Sequence, residues 1–174
     1  MRTIILFYWA IFSSQSWGAP QQLQVLEQTT EFYATGKPSM LKIHGSTQAH
    51  QQSLSVEREQ ISGKMEIDLK TFESGMSLRD EHMRNKVFQI EKYPTVWIVL
   101  DRQPIQSNKF VGTMHFRDQE KKIEGVQSFK KLDQGYSYEI TFKVLLTDFG
   151  VTPPAYFGMK IENEVEVNVK GKAK

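Results

Sequence analysis

Cysteine is absent from this chain. No disulfide can staple the fold, no thiolate can complete a zinc site, and no cysteine follows the apolar start to carry a bacterial-type lipid anchor. Charge of one sign is also lacking: 22 lysines and arginines stand against 20 aspartates and glutamates. That balance excludes the basic surface that nucleic-acid binding needs. Apolar runs are short everywhere except near the first residue, so nothing later reads as a membrane-spanning helix. Catalytic signatures are missing too. There is no GxSxG elbow, no Gly-rich phosphate loop and no HExxH, and none of the four histidines (His44, His50, His82, His115) forms a metal-spaced pair. We find no repeats, no low-complexity tract and no linker.

What is present begins with Arg2 and a nearly unbroken apolar run, Thr3–Phe12, followed by the small residues Ser13, Ser14, Ser16, Gly18 and Ala19. This is the layout of a secretory signal peptide, and the run is about half the ~20 residues needed to cross a bilayer. Cleavage after Gly18 puts Ser16 and Gly18 at the two small-residue positions; cleavage after Ala19 fits less well because of Trp17. Residues 1–19 are therefore expected to be the signal and residues 20–174 a single domain, periplasmic or secreted. That domain is long enough to hold itself together by burial. Without Arg2 the basic count is 22 − 1 = 21 against 20 acids, close to neutral.

Apolar and polar residues alternate through most of the remainder, the signal of half-buried strands. Tyr136, Tyr138, Ile140, Phe142, Val144 and Leu146 share one face of the longest segment. Met65, Ile67 and Leu69 do so in Lys64–Thr71, and Val165, Val167 and Val169 in Glu164–Lys170. Phe110, Met114 and Phe116 line one side of Lys109–Phe116. Thr29–Ala34, Met40–Gly45, Gln52–Arg58 and Lys122–Phe129 are shorter candidates. Turn-formers such as Ser62–Gly63, Gln106–Asn108 and Asp133–Gly135 separate them. The expectation is an all-β, mainly antiparallel protein, a barrel or sandwich of about eight strands. Val96–Leu100 is apolar on both faces, which predicts a strand covered on both sides, for example by a helix outside.

One helix interrupts the pattern, over about residues 77–88. Ser77 can cap it, with Asp80 three residues on to answer the cap. Met83 and Val87 share a face, and Pro94 forces Tyr93 out of helix. Arg79, Asp80 and His82 form the one dense polar group. Two roles stay open for it: recognising a ligand head group at the mouth of a barrel, or pinning the helix to the rim, which we favour. A second irregular segment, Thr147–Met159, carries Pro153–Pro154 and two glycines yet also Phe149, Val151, Tyr156, Phe157 and Met159. Apolar loop residues need somewhere to bury, as a plug in the barrel or as a cover over a ligand.

The run SLRDEHMRNKVFQIEKYP, with Arg79, Asp80, His82, Phe88, Lys92, Tyr93 and Pro94, resembles the YceI-like family. FVGTMHF followed by Gly125, and LLTDFGV followed by ENEVEVNV, resemble it in the same order. The chain departs from the pattern in short, polar strands between Thr29 and Arg58, and in Met83 where leucine is more usual. The resemblance implies a lipocalin-like antiparallel barrel, typically of an exported bacterial protein, of which some members hold a polyisoprenoid chain inside. An apolar, isoprenoid-like lipid would then meet Met65, Ile67, Leu69, Val96, Ile98, Phe110, Met114, Phe116, Tyr138, Ile140, Phe142, Val144 and Phe149. Arg79, Asp80, His82, Arg84 and Lys92 would form the rim or receive a head group. Family members often pair, so a homodimer is among the partners the resemblance allows. It implies no cofactor, no metal and no catalytic residue. The alternatives are a filled barrel that serves as a structural or protein-binding module, or a lipid-modifying hydrolase.

Overall fold

The computed structural model describes residues 19–37, 41–48, 51–156 and 158–174. Residues 1–18 of the expected signal peptide, His50, Met40 and Phe157 lie outside the described residues. Eleven antiparallel strands make one sheet: β1 (Gln21–Leu23), β2 (Val25–Lys37), β3 (Leu41–Gln48), β4 (Gln51–Glu57), β5 (Gln60–Asp68), β6 (Thr95–Pro104), β7 (Lys109–Phe116), β8 (Gln119–Lys131), β9 (Tyr136–Leu145), β10 (Ala155–Tyr156) and β11 (Met159–Ala173). Their order is β1-β4-β5-β6-β7-β8-β9-β11-β2-β3, with β10 paired only to β11.

That order curls into a barrel because β1 and β2 are two parts of one strand. Only Gln24 separates them, and its N–H and C=O bond the backbone of Lys174 at 2.7 and 2.9 Å. The strand leaves β11 and β3 at this point and pairs with β4, so the two ends of the sheet meet. At the other end the seam is narrower. Ser46 and Glu73 exchange two backbone hydrogen bonds (2.8 and 2.9 Å), and the Thr47 hydroxyl donates to the Asp68 carbonyl at 2.6 Å. The count exceeds the expected eight because of this broken first strand and the two-residue β10. The strand read as Thr29–Ala34 is also longer than its apolar residues suggest, since β2 has 13 residues with a largely polar outer face.

The alternation read in the sequence does set the inside. Tyr138, Ile140, Phe142 and Val144 are buried on β9 while Glu139, Lys143 and Leu145 are exposed. Trp97 corrects one expectation. It lies on the outer face of β6 at 36 % exposure, and no helix among the described residues covers it. Its neighbours are His115, directly across on β7, and the Lys64 ammonium 4.3 Å above the ring, a cation–π contact that shelters an aromatic without burying it.

Helix α1 (Ser77–His82) runs straight into a π-helical segment, Met83–Phe88, which ends at Gln89 with φ of +54°. Ser77 is the first helical residue, not the cap. The cap position is Met76, which makes no side-chain bond. Asp80 is drawn to Ser74 instead, so the expected reciprocal capping does not form.

Candidate ligand cavity

The barrel interior divides into two halves. In one, side chains meet with no space between them. Ile61, Met65, Ile98, Phe110, Ile140 and Val169 are all 0 % exposed, and the Phe110 and Phe142 ring centroids are 5.8 Å apart. Beyond them the Tyr138 hydroxyl donates to Gln28 Oε1 at 2.7 Å, with Gln52 Oε1 also in reach of its proton at 3.1 Å. Burial pushes the ionisation of Tyr138 well above its ordinary value, because the phenolate would lose its water.

The other half contains a hollow of about 130 Å³. Its wall has three sources. Strands contribute Thr30, Phe32, Ile67, Val96, Met114, Phe116, Val144 and Val167. The helical segment contributes Met83, Val87 and Phe88. The irregular segment after β9 contributes Leu146, Phe149, Val151 and Pro154. Five phenylalanines form an arc around the space: Phe32 on Phe72 (4.6 Å, stacked), Phe72 on Phe88 (5.0 Å, edge-on), Phe88 on Phe116 (6.5 Å) and Phe116 on Phe149 (5.9 Å). Such ring contacts are worth about 0.5–1.5 kcal/mol each beyond burial. Gly45 makes the first pair fit, since a Cβ there would stand 2.6 Å from Phe32 and 2.8 Å from Phe72. No charged residue lines the hollow among the described residues. A larger depression of about 670 Å³ at the Tyr138 end is open to solvent and bordered by Glu27, Lys130, Glu139, Lys170 and Lys172, so it is an outer surface rather than an interior.

The residues expected to face a ligand therefore separate. Ile67, Leu69, Val96, Met114, Phe116, Val144 and Phe149 line the hollow. Met65, Ile98, Phe110, Tyr138, Ile140 and Phe142 also point inward but belong to the packed half. Phe32, Phe72 and Val87 line the hollow without having been expected there, and Val151 lines it as a residue of the irregular segment expected to plug the barrel or cover a ligand. Phe72 follows a strand at a turn and Phe32 sits in a polar stretch, so neither carried a strong signal; Val87 was legible from its spacing to Met83.

The polar residues of the 77–94 segment hold the rim. Asp80 is buried and accepts from the Ser74 N–H at 2.9 Å and from the Ser74 hydroxyl. Arg79 donates to Ser74 Oγ at 2.7 Å and to its carbonyl at 2.5 Å. Arg84 donates to the Phe72 carbonyl at 3.0 Å. His82 ends α1, half-buried. Lys92 stands apart on the outside, 3.4 Å from Asp118, which also accepts from the Tyr93 hydroxyl. The Tyr93 hydrogen bond, and then the Lys92 charge, hold the Asp118 carboxyl below its usual range. On the facing side Arg117 donates to the Gly150 carbonyl at 2.6 Å, and Asn163 brackets Thr147 with bonds of 3.0 and 2.8 Å. Phe149 and Val151 are thus held into the barrel end. The side chain of Tyr156 lies outside the described residues.

No group of histidine, aspartate or glutamate that could hold a metal occurs among the described residues, and no helix among them is long and apolar enough to cross a membrane.

Residues 23–173 match the family model for the YceI-like domain. No curated protein matches the sequence. Among solved structures, the fold is similar to BcnA of Burkholderia cenocepacia (TM-score 0.69, 15 % identity, 83 % of this chain and 96 % of that one). It is also similar to a polyisoprenoid-binding domain from Saccharophagus degradans implicated in plant cell wall breakdown (TM-score 0.66, 11 % identity, 88 % and 97 %). A YceI protein of Campylobacter jejuni superposes with a TM-score of 0.65 at 12 % identity, over 78 % of this chain and 86 % of that one.

Proposed function

This chain belongs to the YceI-like family, and from that premise we propose that it is an exported, non-enzymatic protein that holds an apolar, isoprenoid-like lipid in the hollow half of its barrel. The observation that carries the proposal is the apolar hollow, ringed by phenylalanines and without a charged side chain on its wall among the described residues. Such a wall offers a hydrocarbon burial worth about 0.8 kcal/mol per CH₂, offset by the ordering of the chain. It offers no acid, base or activated nucleophile, which favours holding over reaction.

Size sets the mechanism. A hollow of about 130 Å³ compares with the ~150 Å³ engineered cavity that accepts benzene, and pockets for larger ligands run to about 300–1,000 Å³. A long chain therefore enters only if the rim moves outward. The segment built to move is Met83–Phe88. It is π-helical, a form found at functional sites, and it ends in a left-handed Gln89, a backbone state non-glycine residues rarely hold. Arg79 and Arg84 then act as hinge pins, with Arg84 the better placed to meet a head group once its Phe72 bond opens.

Extraction of the purified protein into organic solvent, followed by mass spectrometry, tests the proposal. Co-purification or uptake of a prenyl lipid supports it. An empty protein that takes up no prenyl lipid from vesicles contradicts it and favours the second reading, a filled barrel that works through its surface, for which the solid half of the interior speaks.

A further inference from the structure

Phe72 and Met83 both stand on the wall of the hollow, and the chain between them leaves the wall for solvent. Residues 75–78 are exposed one after another. Gly75 turns the backbone at φ of +78°, and nothing lies within 4 Å of where its Cβ would be. This bare turn carries two large apolar side chains, Met76 at 54 % exposure and Leu78 at 62 %, the highest of any large apolar residue among those described. Other exposed apolar residues are scattered. Leu26, Val126 and Leu145 stand on three different strands, and Trp97 leans on Lys64. Scattered apolar residues are ordinary on a protein surface, whereas a pair on one turn at the rim of an apolar hollow calls for a cause.

Folding does not supply that cause. Met76 is the N-cap of α1 and makes no side-chain cap bond, at a position where serine, threonine, aspartate or asparagine would stabilise the helix. A second copy of the chain does not supply it either. Stable protein interfaces bury about 1,200–2,000 Å², far more than two side chains at the start of a six-residue helix present. A bilayer sets no such threshold, because each apolar side chain that leaves water for the acyl boundary contributes by itself. Charge gives no direction, since residues 73–92 carry four acidic and four basic side chains. The attraction is therefore apolar.

We infer that Gly75–Leu78 is a membrane-contact loop: Met76 and Leu78 enter the acyl boundary of a lipid bilayer and seat the rim of the hollow on it, so that the ligand passes between bilayer and hollow without crossing water. Two side chains give a weak, reversible attachment, one suited to loading and release rather than to residence. The strap that carries them also forms part of the wall through Met83, Val87 and Phe88, so contact with the bilayer acts on the segment that must move to admit a chain. This inference rests on the reading of the hollow as a lipid site.

The test compares wild type with the double variant Met76→Ser, Leu78→Ser by flotation with phosphatidylcholine vesicles, at low and high salt. Uptake of a fluorescent prenyl alcohol is followed for both proteins, once from the vesicles and once from aqueous solution, and thermal melting is recorded alongside. The double variant should bind vesicles at least about tenfold more weakly and load from them more slowly to match. Its affinity for the probe added from solution should equal that of wild type, and it should melt at or above wild type, because serine is the better cap. Wild-type flotation should survive high salt, which screens charges but not apolar contact. Wild type that ignores the vesicles, or a double variant that binds and loads as wild type does, overturns the inference while probe binding from solution keeps the lipid site standing. A wild-type dimer in sedimentation that the double variant abolishes overturns it in favour of a second copy. If wild type takes up no probe from either source, the lipid site falls and this inference with it.

Discussion

One barrel, made of the same strands, is solid at one end and hollow at the other. The same residue types build both. Phe110 and Phe142 fill the solid end as a tilted pair, while Phe32, Phe72, Phe88, Phe116 and Phe149 stand around a space. The difference lies in what the rings pack against. At the solid end every ring meets residues of neighbouring strands at fixed register, such as Phe110 opposite Gly125 and Phe142 opposite both Gly125 and Val167. At the hollow end much of the wall comes from segments that are not strands and are fastened by a few polar bonds to backbone carbonyls, at Phe72, Ser74 and Gly150. Strand ladders fix a core, and strapped segments leave room and can be displaced.

This contrast predicts unequal costs for equal truncations. Phe110→Ala removes a fully enclosed ring and should lower unfolding stability by about 3–5 kcal/mol, read by urea denaturation. Phe149→Ala should cost clearly less, about 1–3 kcal/mol, because its site already borders a space, and it should increase uptake of a prenyl probe. Equal losses at the two positions would erase the distinction.

Gly45→Ala probes the aromatic arc. The added methyl meets Phe32 and Phe72, and overpacking should cost about 1–3 kcal/mol. Probe binding should fall, since the rings must turn into the hollow. A variant that keeps full stability and binding would show that the arc is not tightly set.

Tyr138→Phe probes the polar layer beyond the solid end. It leaves Gln28 Oε1 with the Gln52 amide as its remaining donor and takes the hydroxyl away from Gln52 Oε1, at a cost of about 1–2 kcal/mol. The pH dependence has a definite sign. Burial raises the Tyr138 ionisation in the folded state, so the neutral form is the one the fold holds. Its contribution is complete below the ordinary tyrosine value of about 10 and declines as pH rises beyond it. Wild type should therefore lose stability more steeply than Tyr138→Phe in alkaline titration, with lipid-probe binding at neutral pH alike in both.

The smallest effect is expected outside both halves. Lys143→Ala breaks an exposed pair with Glu164 at 2.7 Å and should leave stability close to that of wild type, because water and salt screen such a pair. A larger shift would mean that the outer faces matter to the barrel more than its interior division implies.

The sequence made the inward faces legible because period-two alternation is a local property. Tyr138, Ile140, Phe142 and Val144 are examples, and the segment 77–88 was legible from its own spacing. The division of the interior was not. Whether Met65 or Ile67 borders a space depends on what reaches it from strands and loops far along the chain, which alternation does not encode. Asp80 shows the same limit on a smaller scale: its spacing to Ser77 suggested a cap, while the fold brought Ser74 closer. Thr30 was hidden for a related reason, because a threonine amid glutamate and glutamine reads as surface until β2 is placed beside β11.

Methyl-resolved NMR of the protein titrated with a prenyl alcohol tests the central claim most directly. The account predicts shifts at Ile67, Val87, Val96 and Val151, around the hollow, with Ile61, Ile98 and Ile140 in the solid half unmoved. Shifts spread evenly over both sets, or confined to methyls on the outer faces, would contradict it.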